Sequence, residues 1–135
     1  MAWIEWSDGF LVGVPQFDDH HRHLVALLNR THGIFVGGAA ADDIGAVLDE
    51  LVDYATYHFA TEEYWMKEQG YPELGRHAAE HDAFSVKIVG IQMDHQYHRR
   101  DVSLDVLTFL KEWLSTHILE ADAGYGRFVV ARGKP

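Results

Sequence analysis

The sequence predicts an all-α protein, an antiparallel up-down four-helix bundle with an extended N-terminal arm. Apolar residues recur at helical spacing in four segments, and no segment shows the apolar-polar alternation that is typical of a strand. Glycine, proline and aspartate separate these segments and predict short connections, which place successive helices side by side in opposite directions. At 135 residues the chain has the length of one domain, and residues 1–135 are expected to form a single domain.

The arm and the first two helices follow from the first half of the chain. Residues 1–17 are expected to form the arm, because glycine and proline interrupt their apolar residues too often for a helix. The first helix is predicted over about 18–37, with Asp18 or Asp19 as its N-cap and a Gly-Gly pair at its end. The second helix follows the stretch "GGAAADD", whose aspartates also suit an N-cap, and ends at Gly70.

The third and fourth helices complete the bundle. The third is predicted to have Pro72 in its first turn and to end before the polar stretch "DHQYHRRD". The fourth is predicted to begin at Asp101 or Ser103, either of which suits an N-cap, and its inward positions run from Val106 to Ile118. Only a short C-terminal tail is expected beyond it.

Composition excludes several classes of partner and chemistry. Lysine and arginine number 11 against 21 acids, and the resulting charge of −10 repels nucleic acid and anionic membrane surfaces, so neither partner is expected. Cysteine is absent, which excludes disulfides and thiolate ligands and is compatible with the reducing cytoplasm, the predicted location. No signal-peptide pattern opens the chain, and no apolar run approaches the roughly 20 residues of a membrane span.

Histidine is the unusual component of the chain, with ten residues, several of them on apolar helical stripes. A buried histidine or carboxylate without a partner costs several kcal/mol. Residues four apart on a helix point in nearly the same direction, so His58 with Glu62 and His77 with His81 each aim two side chains at one point. One such pair alone is more often a surface pair. Inward groups on all four helices predict a metal site instead.

The first and fourth helices add His21 and His117, the latter with an acid near it. Nitrogen and carboxylate oxygen suit iron, manganese or zinc. Five imidazoles and two carboxylates are too many for one ion, and two ions that share carboxylates fit the count. The acid that accompanies His117 stays open at this point. Ideal helical geometry favours Glu120, about 60° from the direction of His117, over Asp122, about 140° to the other side.

The remaining histidines are weaker candidates for ligands. His20 and His23 flank His21 but point in other directions, and they are expected on the bundle surface. His32 has a suitable direction but lies ~16 Å along the helix axis, too far for the same site. His95 and His98 are expected at a solvated helix end.

Taken together, these residues show that the chain resembles the bacterial hemerythrins, single-domain oxygen-binding di-iron proteins. The resemblance rests on "GVPQFDDHHRHLVALLN" at 13–29, "HFATEEYWMKEQGYPELGRHAAEH" at 58–81, "WLSTHILEADAGY" at 113–125 and the N-terminal "WSDGFLVGV". It covers nearly the whole chain. The elements H-x-x-x-E, H-x-x-x-H and H-x-x-x-x-D, in this order, are highly specific.

The resemblance implies two iron ions (Fe2+/Fe3+) joined by a bridging oxo or hydroxo group. It assigns His77, His81 and His117 to one iron, and His21 and His58 to the other. Glu62 and Asp122 would bind both irons. One coordination position then stays open on the iron with two histidines, where dioxygen is the expected partner. The residues expected to line the pocket beside it are apolar: Leu24, Phe59, Trp113, Leu114 and Ile118.

The family pattern selects Asp122, although it follows His117 by five residues rather than four. A π-type turn would bring the fifth residue beneath the first, so a distorted turn is predicted between His117 and Asp122. The chain departs from the family at His20, where glutamine is usual. His21 is preferred over His20 as the ligand because it keeps the register of the helix.

The predicted function is reversible dioxygen binding for storage, delivery or sensing, with no catalytic residue and no enzyme activity. Carboxylate-rich di-iron oxidases use four glutamates and two Glu-x-x-His motifs, whereas this site is rich in histidine, which favours binding over turnover. The alternatives are an enzyme that reduces peroxide or nitric oxide, a metal store and a zinc-occupied structural bundle. The sequence identifies no protein partner for oxygen delivery.

Overall fold

The structure, a computed structural model, describes residues 3–38, 41–97 and 104–132 and has the predicted antiparallel up-down four-helix bundle. Its helices are α1, Pro15–Val36; α2, Ala41–Glu68; α3, Leu74–Gln96; and α4, Leu104–Thr116, which continues through a π-helical segment, His117–Asp122, into α5, Ala123–Ala131. A short 3-10 helix, Asp8–Phe10, lies in the arm. Within these three ranges no strand occurs, and no helix is both long and apolar enough to cross a bilayer.

Helix α1 begins three residues earlier than predicted, at Pro15. Proline suits the first position of a helix because its φ is already helical and its missing N–H has no partner there. The N-cap is Val14, so the prediction that Asp18 or Asp19 caps α1 is wrong. Asp18 is buried instead, and its Oδ1 accepts a hydrogen bond from the N–H of Val12 at 2.7 Å. This carboxylate therefore holds the arm against the helix.

The other helix ends also differ from the predictions by a few residues. Helix α2 begins at Ala41, so the two aspartates of "GGAAADD" lie in its first turn rather than at the N-cap. Helix α3 begins two residues after Pro72 and runs to Gln96, three residues into the polar stretch that was expected to end it. The predicted N-caps of the fourth helix, Asp101 and Ser103, lie outside the described residues. In place of a short tail, α5 continues the fourth helix.

Polar contacts hold the arm on the bundle. Asn29 of α1 accepts a hydrogen bond from the N–H of Ile4 at 2.7 Å and donates one to the carbonyl of Ile4 at 2.9 Å. The ring of Trp3 stacks on His32 with a centroid separation of 4.3 Å. The two hydrogen bonds pair the backbone polar groups of Ile4, which lies in the arm before its 3-10 helix.

Apolar side chains from every helix of the bundle form the core. Those that are at most 2% exposed include Leu24, Leu28, Leu48, Leu51, Phe84, Ile88, Leu107, Leu110 and Ile118. Burying each such side chain stabilises the fold by roughly 1.5–3 kcal/mol. The same interior also contains ionisable side chains, which oppose folding unless something compensates their burial.

Candidate metal centre

Seven ionisable side chains meet inside the bundle, and each was predicted from the sequence. None is more than 4% exposed: His21, His58, Glu62, His77, His81, His117 and Asp122. They come from α1, α2, α3 and the π-helical segment, so all four antiparallel helices contribute. The helical faces that were predicted to point into the bundle therefore do so, and their ionisable side chains meet at one common level.

Helical spacing aligns the pairs on α2 and α3. His58 and Glu62 lie four residues apart on α2, with 3.3 Å between Nε2 and Oε1. His77 and His81 lie four apart on α3, with ring centroids 4.5 Å apart. In each pair both side chains leave the helix in nearly the same direction, as the 3.6-residue turn requires.

The π-helical segment directs Asp122 into the site and confirms the predicted distorted turn between His117 and Asp122. The wider turn brings the fifth residue beneath the first, and Asp122 Oδ1 lies 3.2 Å from His117 Nε2. Asp122 is fully buried, whereas Glu120 is exposed. The preference for Glu120 from ideal helical geometry is therefore wrong, because the helix is not ideal at this point.

Each oxygen of Asp122 faces a different set of histidines. Oδ1 lies 2.9 Å from Nε2 of His77 and 3.2 Å from Nε2 of His117. Oδ2 lies 2.9 Å from Nε2 of His21 and 4.0 Å from Nε2 of His58. The carboxylate thus lies between a pair of histidines on one side and another pair on the other.

Glu62 also reaches both sets of histidines. Its Oε1 lies 3.2 Å from Nε2 of His81 and 3.3 Å from Nε2 of His58, and its Oε2 lies 4.0 Å from Nε2 of His21. Two groups of mutually close ligand atoms result, each within 4.8 Å: Glu62, His77, His81, His117 and Asp122; and His21, His58, Glu62 and Asp122. The groups overlap only in the two carboxylates, which is the geometry of two neighbouring cation positions.

The hydrogen bonding of these atoms fits bound cations. The Nε2 atoms of His21, His58 and His77 and both oxygens of Glu62 and of Asp122 are buried and form no hydrogen bond with any described residue. Several are close to one another, yet their angles do not suit hydrogen bonds. Each unpaired buried polar atom costs about 1–3 kcal/mol. Cations placed among them would offset that cost.

The protonation state of two of the histidines also suits a metal. Burial lowers the pKa of His58 well below its usual range and that of His81 to about 2, so both rings are neutral, the form that binds metal. Burial and the charge of Asp122 raise the pKa of Glu62 well above its usual range. Burial also acts to raise the pKa of Asp122, but the neighbouring imidazoles, His117 first, outweigh it and hold that pKa well below its usual range.

Comparison with known proteins agrees with this arrangement. Residues 12–129 match the hemerythrin HHE cation binding domain, and this range includes all seven side chains of the cluster. The chain belongs to the hemerythrin family. It is similar to the bacteriohemerythrin of Stenotrophomonas maltophilia, with 34% identity over 131 residues that cover 97% of this chain and 84% of that protein. The bacteriohemerythrin of Methylococcus capsulatus is 35% identical over 130 residues, which cover 93% and 94% of the two chains.

A solved hemerythrin structure has the same architecture. A crystal structure of wild-type hemerythrin matches this chain with a TM-score of 0.89 at 31% identity, covering 93% of this chain and 97% of that one. The match confirms the helical-bundle fold and the resemblance inferred from the sequence.

His20 of this hemerythrin lies in the interior, and the prediction that it lies on the surface is wrong. It is 6% exposed, and its Nδ1 lies 2.8 Å from Nδ1 of His58. Tyr54 and Tyr57 of α2 pack against its ring with centroid separations of 5.8 and 5.2 Å. These tyrosines cover a face of α1 that helical periodicity alone predicts to be exposed to solvent. His23 is exposed, as predicted.

Glu63 is a contact of the site that the sequence analysis missed. The Nδ1 of His81 lies 2.9 Å from Glu63 Oε2 and donates its hydrogen to it. A carboxylate behind a metal-binding histidine orients the ring and makes it a stronger ligand. The adjacent pair of glutamates on α2 was the available signal, since neighbours on a helix differ by ~100° and Glu63 can face α3.

The predicted pocket residues are largely buried. Leu24, Phe59, Leu114 and Ile118 are at most 3% exposed, and Trp113 is half-buried. Phe59 stacks on His81 with centroids 4.0 Å apart, and Trp113 stacks on His117 at 4.6 Å. These two rings therefore cover the group with three histidines. That the five residues line the open position beside the other group stays a prediction.

Among the residues that the structure describes, the other histidines lie outside both ligand groups. His32 stacks on Trp3, consistent with its predicted distance from the site. His95 is 7% exposed and packs near Gly45 of α2, so its predicted place at a solvated helix end is wrong. His98 lies outside the described residues.

Proposed function

We propose that this hemerythrin binds dioxygen reversibly at a non-haem, carboxylate-bridged di-iron centre. The observation that supports this function is the pair of ligand groups that overlap only in Glu62 and Asp122. Seven inward ligand residues exceed the coordination of one ion. Carboxylates shared between neighbouring groups are the ligands that a two-ion site in a helical bundle uses.

The donor set supports iron at both positions. Imidazole and carboxylate suit iron, and the relatives that the chain resembles are named bacteriohemerythrins. One ion would be held by His77, His81 and His117 and the other by His21 and His58. Because the second ion would have one histidine fewer than the first, it is the ion that would accept dioxygen. When bound, the two irons would supply electrons to dioxygen and take them back as it leaves.

The protein's own side chains support binding rather than turnover. Leu24, Leu114 and Ile118 belong to the buried apolar core of the bundle, and apolar residues at the site would exclude water and limit the escape of reduced oxygen species. The five histidines bring less negative charge than the ligands of carboxylate-rich di-iron oxidases. Reversible binding suits storage, delivery or sensing of oxygen. The cytoplasmic location, the absence of a nucleic-acid partner and the extent of the domain stay predictions from the sequence.

Anaerobic loading with Fe(II), followed by admission and then removal of oxygen, tests the proposal. The expected result is two iron ions per chain and a visible charge-transfer band that appears with oxygen and disappears when oxygen is removed. An irreversible spectral change would contradict reversible binding. Steady consumption of peroxide or nitric oxide with a reductant, at a rate above that of free iron, would favour an enzyme instead.

A further inference from the structure

The contact between His20 and His58 joins a residue outside both ligand groups to a residue inside one of them. We propose that His20 is a positioning residue, which holds the ring of His58 toward the ion bound by two histidines. The inference rests on the proposed function, since it assumes that His58 binds one of two ions.

The proton between the two rings fixes their roles. Nε2 of His58 faces Glu62 Oε1 at 3.3 Å and belongs to the cluster, so it must carry no proton when it binds an ion. The hydrogen of neutral His58 then lies on Nδ1, and it donates across 2.8 Å to Nδ1 of His20. His20 is therefore the acceptor, and its own hydrogen lies on Nε2. Glutamine would play the same part through its amide oxygen.

His20 is itself held in place. Its ring lies edge-on to His58, with centroids 5.0 Å apart and planes at 75°, and the rings of Tyr54 and Tyr57 also pack against it. Rotation of His58 away from the cluster would break the hydrogen bond in a buried place where water cannot replace it. His20 and His21 are neighbours in the chain. His21 would bind the ion directly, whereas His20 would act on the ion through His58.

A second contact of the same kind shows which ion depends on His20. His81, in the group with three histidines, donates to the carboxylate of Glu63 at 2.9 Å. His58, in the group with two histidines, donates to Nδ1 of His20. Each partner supports a different ion, so loss of His20 is expected to weaken only the position with two histidines.

Three variants separate positioning from packing. His20→Leu removes the acceptor while it fills the space, and His20→Gln restores an acceptor. The matched control is His23→Leu, which removes an exposed imidazole of α1 that contacts Tyr54 at a centroid separation of 4.1 Å but is no part of the cluster. Each protein is titrated anaerobically with Co(II) alone, in competition with a chelator, and the two equivalents are followed by their visible absorption.

The expected result is that wild type, His20→Gln and His23→Leu bind two equivalents with closely similar affinities. His20→Leu is expected to bind one equivalent normally and the second about 10–100-fold more weakly, the usual effect of removing a partner of a metal-binding histidine. In NMR spectra of the Co(II) form, the ring N–H of His58 should exchange with water faster in His20→Leu than in wild type.

Three outcomes would overturn the inference and leave the two-ion site intact: unchanged binding of both equivalents by His20→Leu, equal weakening of both, or loss of the second equivalent in His20→Gln. Failure of the wild-type protein to bind a second equivalent is a different result. It would contradict the proposed function, and this inference with it.

Discussion

Asp122 and Glu120 lie two residues apart, yet only one of them belongs to the site. Asp122 is fully buried and contacts histidines of both groups, whereas Glu120 is exposed. Asp122→Ala is expected to abolish the di-iron spectrum and lower the iron content, because in the proposed centre it would remove a ligand from each ion. Glu120→Ala, the matched control, should leave both nearly unchanged. Iron content and the visible spectrum measure this, and the reverse order of effects would contradict the assignment.

The lowered pKa values of His58 and His81 predict how the metal-free protein responds to acid. The two rings take up protons near pH 6.5 in the unfolded chain but not in the folded one. The free energy of unfolding should therefore fall as the pH drops below about 6.5, by up to about 1.4 kcal/mol per pH unit for each ring. The raised pKa of Glu62 has the opposite effect on the free energy of unfolding, because this carboxyl group ionises at a lower pH in the unfolded chain than in the folded one. The two histidine rings together are expected to change the free energy of unfolding more than the single carboxyl group does.

Urea unfolding of the metal-free protein between pH 7.5 and 5 measures this response. The double variant His58→Gln/His81→Gln should show a shallower decline than wild type, because it lacks the two rings. A free energy of unfolding that stays constant or rises on acidification of wild type would show that these rings are not held neutral in the folded state.

Sequence periodicity predicted six of the seven cluster residues, and the family pattern supplied the seventh, Asp122, but neither predicted the partners of these residues. Directions on a single helix place His58 and His81 inward, because those directions depend only on the helical turn. The contacts of His20 and Glu63 depend on how α1 and α3 pack against α2. The tyrosines that cover His20 lie more than 30 residues further along the chain, so no local pattern around His20 indicates its burial.

The π-helical segment was predictable because two observations conflicted. Family spacing placed the acid at Asp122, and ideal geometry turned Asp122 toward solvent, so only a wider turn satisfied both. The start of α1 was not predictable in the same way. Asp18 is a good N-cap by composition, but the arm folds back and uses its carboxylate to pair the N–H of Val12. That contact depends on the path of the arm. The arm has no regular spacing of apolar residues from which its path could be predicted.

The close contact of α5 with the arm gives a test of that path. A Cβ at Gly126 would overlap the carbonyl oxygen of Val12, so Gly126→Ala must push the arm away and strain its hydrogen bond to Asp18. The expected loss of stability is about 1–3 kcal/mol or more. Gly90→Ala, in the middle of α3 with open space around it, is the control and should stabilise by about 0.5–1 kcal/mol. Equal effects in urea unfolding would contradict the packing of the arm.

The bundle as a whole was the most predictable feature, for a physical reason. Four amphipathic helices with short connections bury their apolar stripes by packing side by side in alternating directions. The same arrangement brings any inward polar groups at one level into contact. This is why the cluster followed from the stripes, and why its burial without cations would be costly.

The sharing of Glu62 and Asp122 between two ions is best tested by a crystal structure of the iron-loaded protein with anomalous data at the iron edge. Two iron peaks about 3.5–4 Å apart are expected, as in other two-metal sites. One should contact His77, His81 and His117, the other His21 and His58, and both should contact the two carboxylates. A single iron peak, or Glu120 in the place of Asp122, would contradict the di-iron centre proposed for this hemerythrin.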